Sequence, residues 1–284
     1  MDDIELTNFK FRDSKIDLDK IIEKYWINNQ KIIRDFGLNE VKSTFEGFDF
    51  EYDKKIEESR EKLQNRAKKY FPVDDVFLLY DQKDIRWEGF KDNNSELSQI
   101  NISKGINYKT ITSIRSNEEL FNQLDQEKSP KAFVLANVLI TSDNKLVMGK
   151  RKFYWDRPFD TYECPGAFLH EEDLEINSII KSAKNKIIDD YQIADFEIKT
   201  IPFVIYYLPR ILEVVCVCIS KISLSSKELK SDFYEEILSI ENTEAGLEKL
   251  TKMPLDLFHT PSRTIIQFYY ENFLDAKRLL EELK

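Results

Sequence analysis

Apolar positions along this chain repeat with two different periods, and the change of period suggests where one region ends and the next begins. Ile21, Ile22, Tyr25, Trp26, Ile32 and Ile33 recur at helical spacing, which predicts a helix over 17–36 laid against a core. A second, highly charged helix is predicted over 54–70, from Lys54 to Tyr70. Val76–Tyr80 and Ile100–Ile102 read as strands, with Asp92-Asn93-Asn94-Ser95 as a turn between them. The polar, lysine-rich stretch 117–132 reads as a connector that carries a short helix at Asn117–Leu124.

From Ala132 onward the apolar runs shorten and crowd together. Phe133–Thr141 predicts a strand, Ser142-Asp143-Asn144-Lys145 a hairpin turn, and Leu146–Lys150 the partner strand. Ile176, Ile179, Ile180, Ala183, Ile187 and Tyr191 then return at three- and four-residue intervals, which makes one apolar stripe on a helix. Strands are predicted near Ile201–Leu208 and Leu212–Ile219, and a helix at Glu244–Leu250. A last helix, capped at Ser262 or Thr260 with Pro261 in its first turn, runs to about Leu283. Strands, one interrupting helix, more strands and a terminal helix predict an α+β fold with a mixed sheet between two helical layers. Residues 1–130 are expected to form a smaller α+β region, and residues 131–284 the second domain.

With 284 residues and 42% apolar content the chain can bury a substantial core. Its net charge of −10 argues against nucleic acid, because phosphate-backbone binding draws on a basic surface. An acidic protein still binds an anionic diphosphate when a bridging cation supplies the charge, so metal dependence is expected of any such ligand. No apolar run approaches the roughly twenty residues of a membrane span. The opening MDDIELTNFKFRD is acidic and polar, not signal-like, and a soluble cytoplasmic protein is expected. Cys164, Cys216 and Cys218 form no disulfide framework, and with only His170 and His259 beside them no zinc-ligand spacing is present.

The segment from Cys164 to Ile193 carries the candidate chemistry: a proline-glycine turn, an acidic loop, and an amphipathic helix ending in paired aspartates. Hard cations such as Mg²⁺ or Mn²⁺ take several oxygen ligands around one point. A helix end supplies two of them at Asp189 and Asp190, and the preceding loop a third at Glu171 or Glu172. The same residues admit a plainer reading, in which Lys186 and Asp190, four apart, form a surface ion pair worth about 0.3–0.5 kcal/mol.

At these residues the chain resembles the Nudix family, whose box reads GxxxxxE, seven residues, then REUxEExGU with U aliphatic. In the uninserted register the glycine position falls on Ala167 and the helical motif on Lys181 to Lys186, which leaves no carboxylate in the helix. With a longer loop the terminal motif lies on Asn185-Lys186-Ile187-Ile188-Asp189-Asp190-Tyr191-Gln192-Ile193. Both aliphatic positions then match, at Ile187 and Ile193, and the acidic pair becomes Asp189 and Asp190. This second register is preferred. It departs from the family at Asn185 for arginine, Lys186 for glutamate and Gln192 for glycine. The stretched box resembles the branch related to uridine-diphosphate-glucose pyrophosphatases, as do Gly105–Lys109, Tyr206–Ile219 and Thr260-Pro261-Ser262.

The resemblance implies a Nudix-like α/β/α sandwich and a metal-dependent pyrophosphohydrolase of a nucleoside diphosphate derivative, a nucleotide sugar such as UDP-glucose among them. It implies metal ligation by Asp189, Asp190, Glu171 and Glu172, with Glu213 as a late acidic ligand or general base. Arg151, Arg157 and Arg210 are candidates for the phosphates and Trp155 for the base, although Trp155 is equally suited to covering the sheet and Arg210 to a solvated turn. Lys186 would stand close to the cation and repel it. The alternative is therefore a catalytically inactive Nudix-fold module that binds a nucleotide or a protein partner.

Overall fold

A computed structural model describes residues 24–26, 36–38, 54, 55, 58, 61, 83–93, 96–107, 111, 114, 117–123, 131–151, 161–169, 179–208, 212–254 and 257–282. Its strands are β1 (Lys24–Trp26), β2 (Phe36–Leu38), β3 (Lys83–Asn93), β4 (Glu96–Asn107), β5 (Ala132–Ile140), β6 (Lys145–Arg151), β7 (Tyr162–Glu163), β8 (Gly166–Phe168), β9 (Ile198–Leu208), β10 (Glu213–Ile222) and β11 (Tyr234–Glu241). The helices are α1 (Glu118–Gln123), α2 (Ile179–Tyr191), α3 (Glu244–Thr251), α4 (Thr260–Glu271) and α5 (Phe273–Glu282).

One mixed sheet holds all the strands, in the order β1-β9-β10-β5-β3-β4-β2, with β6, β7, β8 and β11 branching from β5. The nine-residue run AFVLANVLI is buried throughout, as expected of a central strand covered on both faces. Along one side β5 pairs in parallel with β10 over its whole length. Along the other it meets β3 at Ala132, β8 at Val134–Ala136 and β6 at Leu139–Ile140. After Val147, β6 leaves β5 and pairs with β7, while β11 follows its other edge from Lys145 to Arg151, so β7 and β8 lie in the wedge between the two diverging strands.

Alternation along β5 divides the core. Val134, Ala136, Val138 and Ile140 pack with Leu247, Leu250, Ile265, Phe268, Tyr269 and Ala276 of α3, α4 and α5. Leu139 turns to the opposite face, with Ile187 and Tyr191 of α2. The fold is an α/β/α sandwich of the α+β class, with a mixed sheet between α2 and the C-terminal helices, as the periodicity predicts.

Several expectations are corrected. Lys24–Trp26 is a strand and not part of a helix over 17–36, because Tyr25 and Trp26 pair with Ile205 and Val204 of β9 and the ladder overrides the helical spacing. The terminal helix is two helices: the Asn272 side chain bonds the Phe268 carbonyl at 2.9 Å, and the backbone leaves helical geometry there. Ser262 is no cap, since its hydroxyl lies inside α4 and accepts the Cys164 N–H at 2.9 Å. The strand at Val76–Tyr80, residues 176–178 and most of 54–70 lie outside the described residues, while Lys54, Lys55, Glu58 and Glu61 are helical.

Two local devices fix the wedge. Gly166 passes so close to the Leu135 carbonyl and the Ala136 backbone that a side chain there has no room. Asn137, fully buried, donates through its amide to the Pro165 carbonyl at 3.4 Å and the Ala183 carbonyl at 3.1 Å, and accepts from Ser220, which bonds Thr200. This network pins the proline-glycine turn and α2 to the middle of the sheet, which a purely apolar contact does not do with one fixed register.

Candidate functional site

α2 ends at Tyr191 because Gln192 turns into the left-handed region, with φ 55°, and its N–H closes on the Ile188 carbonyl. That conformation is the one in which glycine is favoured just past a helix. It falls on the residue standing where the Nudix box of the longer register has its glycine, and it puts Asp189 and Asp190 in the last turn.

The two aspartates diverge. Asp189 is exposed, whereas Asp190 is half-buried and faces β11, where its carboxylate accepts the Tyr234 hydroxyl at 2.9 Å and its carbonyl accepts the Ser231 hydroxyl. The same Tyr234 hydroxyl lies 3.5 Å from Glu163, a carboxylate only 3% exposed on β7. Tyr234 is held in place because its ring lies over Gly149 of β6, where any Cβ would strike it. One phenol thus stands between two carboxylates from different elements.

Around this pair are His259, Tyr191 and Cys164. His259 Nδ1 is 4.0 Å from the second Glu163 oxygen, and its backbone N–H donates to the Tyr162 carbonyl. Tyr191 is 3% exposed and its ring lies 5.4 Å from that of Tyr234, yet its hydroxyl has no hydrogen-bond partner among the described residues. Burial, and then the charges of Asp190, Cys164 and Glu163, hold the Tyr191 phenol well above its ordinary range. Burial, with Glu163 adding to it, pushes the Cys164 thiol up to about 12, so it stays neutral and is no nucleophile. Cys216 and Cys218 form no disulfide and are likewise buried, and contact with Cys218 and then burial raise the Cys216 thiol above its ordinary range.

Oxygen donors on two acidic side chains suit a hard cation, and a buried hydroxyl without a partner suits a water of that cation's shell. Glu163 and Asp190 supply two such carboxylates, both in contact with the Tyr234 hydroxyl. Among the described residues no three His, Cys, Asp or Glu side chains converge as a complete ligand set. Glu171 and Glu172 lie outside those residues, as do Trp155, Arg157 and Arg210. Arg151 closes β6 opposite Tyr234 in register, close to the wedge. Glu213 is placed elsewhere: it opens β10 beside Ala132, buried, while Ile222 at the far end of that strand packs with Tyr191. A ten-residue strand is about 30 Å long at roughly 3.3 Å per residue, so Glu213 and Asp190 do not share one ion.

Sequence reasoning missed Glu163, Tyr234, His259 and Tyr191 as a group. The one usable signal was Glu163 immediately before Cys164-Pro165-Gly166, an acid at the edge of a turn that must approach the sheet closely.

No protein-family model matches the chain, and no curated protein matches it in sequence. Solved structures match part of it. A bifunctional NMN adenylyltransferase/ADP ribose pyrophosphatase from Francisella tularensis, complexed with AMP and Mn ion, aligns at 14% identity and a TM-score of 0.36 over 50% of this chain and 42% of its own. A Nudix hydrolase from Nitrosomonas europaea aligns at 13% identity and 0.36 over 50% and 71% of the two chains. The Nudix domain of Shewanella oneidensis NrtR, complexed with ADP ribose, aligns at 16% identity and 0.35 over 55% and 99%. Likenesses this partial carry no argument about activity. Among the described residues no helix is long and apolar enough to cross a membrane.

Proposed function

We propose that this chain is a Nudix-like, metal-dependent pyrophosphohydrolase of nucleoside diphosphate derivatives, with nucleotide sugars such as UDP-glucose as its substrate class and the cytoplasm as its compartment. The observation that carries the reading is the left-handed Gln192 directly after α2, which supports the longer box register and with it Asp189 and Asp190 as the acidic pair. In this reading residues 131–284 form the Nudix-like domain, and residues 1–130 a smaller region that adds strands to its sheet.

Asp189, Asp190 and Glu171 or Glu172 would hold a divalent ion, which would supply positive charge to the phosphoryl oxygens and acidify a bound water. Asp190 is oriented by the Tyr234 hydroxyl, so its carboxylate keeps one direction. Arg151, Arg157 and Arg210 neutralise the phosphates, and Trp155 stacks on the base. The water oxygen bonds to one phosphorus as the bridging P–O bond breaks, and the departing monophosphate takes up a proton.

Changing Asp189 and Asp190 together to asparagine is expected to abolish Mg²⁺-dependent release of nucleoside monophosphate. Lys186→Glu is expected to preserve or raise it by removing a repulsive charge. Unchanged turnover in the double variant would show the acidic pair to be the wrong one. A second reading, a binding module without catalysis, is favoured by the divergence of Asp189 from Asp190 and by Lys186 and Asn185 in the box.

A further inference from the structure

We propose that the outer edge of β11 is a docking site for an extended, basic segment of another protein, which joins the sheet as a further strand beside Ile237 and Ser239. This role stands whether or not the chain hydrolyses a diphosphate.

The ladder sets which backbone groups face outward. β11 pairs with β6 along one edge, in register from Tyr234 opposite Arg151 to Glu241 opposite Lys145, and among the described residues no strand lies along its other edge. The Asn242 N–H bonds the Asn144 carbonyl at 3.0 Å, so position 242 points toward β6. In an antiparallel pair the backbone groups of successive residues point alternately toward the partner strand and away from it. Ile240 and Leu238 therefore direct theirs to β6, while Ser239 and Ile237 turn theirs outward. The open run is bounded at both ends: the Glu241 carbonyl accepts the Thr243 N–H at 2.8 Å, and the register shifts between Tyr234 and Glu236. Two N–H and two carbonyl groups remain, which is the pattern an added strand pairs with. Ile237 on one face and Leu238 and Ile240 on the other are half-buried, so an incoming strand also finds apolar neighbours.

Charge selects the occupant. Glu235, Glu236 and Glu241 stand exposed at the two ends of this edge, where Lys150 approaches the first two at 3.3 and 3.9 Å and Lys145 the third at 3.6 Å. Three carboxylates meet two ammonium groups, in a chain of net charge −10. A second copy of the chain is a poor partner. The twofold pairing centred on Leu238, which uses all four outward groups, puts Glu235 of each copy opposite Glu241 of the other, and like charges directly opposite destabilise a ladder. A segment with lysine or arginine at each end of a short apolar stretch meets those carboxylates instead.

The test uses the full chain and two fluorescein-labelled peptides of alternating valine and threonine, about seven residues long, one with lysine and one with glutamate at both ends. Fluorescence anisotropy is expected to show the lysine peptide binding at least about tenfold more tightly, with the difference shrinking as salt is raised. Amide hydrogen exchange at Ile237 and Ser239 is expected to slow when the lysine peptide is added. Ser239→Pro removes an outward N–H and leaves the bonds to β6 in place, so it is expected to fold and to weaken binding by more than about tenfold. The double variant Glu235→Lys with Glu241→Lys changes only exposed side chains and is expected to reverse the preference between the peptides, which decides the matter should the proline variant not fold. Equal binding of the two peptides, or a preference unmoved by the charge reversal, would overturn the proposal. So would failure of the lysine peptide to bind, whether the chain sediments as a monomer or as a dimer that Ser239→Pro dissociates; the dimer would assign the edge to a second copy.

Discussion

The Tyr234 hydroxyl donates to the Asp190 carboxylate across 2.9 Å, joining the first residue of β11 to the last turn of α2. A hydrogen bond to a charged group contributes about 1.5–3 kcal/mol when well shielded and less at a half-buried site. Tyr234→Phe keeps the ring over Gly149 and is expected to cost about 1–2 kcal/mol in urea unfolding, with no change in the slope of the transition.

Gln192 has a left-handed backbone that a side chain tolerates poorly, at a cost of about 1–2 kcal/mol relative to glycine. Its amide recovers part of this through an exposed bond to Asp232 at 2.6 Å. Gln192→Gly is therefore expected to stabilise the protein by about 0.5–1 kcal/mol. Destabilisation in thermal unfolding would mean that the Asp232 contact outweighs backbone strain.

Ser182 is fully buried on α2 and its hydroxyl has no partner among the described residues. Alanine removes that hydroxyl and is also the better helix former. Ser182→Ala is expected to raise stability by about 1 kcal/mol, read as an increase in the unfolding midpoint.

These sites differ in how far the sequence announces them. The β5–β6 hairpin, α2, β9, β10 and α3 are each long enough for their apolar period to show. The two-residue β7 has no period at all, and β11, YEEILSIE, hides its inward Tyr234 among acids. The candidate site joins Glu163, Asp190 and Tyr234, which are 71 and 44 residues apart in their Tyr234 contacts, so only the folded sheet brings them together. Gln192 was legible in part: its place in the box was visible as a departure from glycine, but its backbone conformation was not.

Acid should reveal the hairpin turn. Thr141 and then the Ser226 backbone N–H bond the Asp143 carboxylate, which they hold down to about 2 from an ordinary 3.8. A depressed carboxylate stabilises the fold fully above its unfolded pKa and loses that contribution as pH falls through the folded value. Between about pH 4 and pH 2 the wild type is therefore expected to lose stability more steeply than Asp143→Asn, in which this group no longer titrates.

Phosphorus NMR of the purified full chain with UDP-glucose and other nucleoside diphosphate derivatives tests the central claim most directly. With Mg²⁺ present, the paired diphosphate resonances are expected to convert into those of two phosphomonoesters, and with chelator they are expected to persist. Diphosphate left intact with Mg²⁺ and with Mn²⁺ across the panel would contradict the assignment of this chain as a pyrophosphohydrolase.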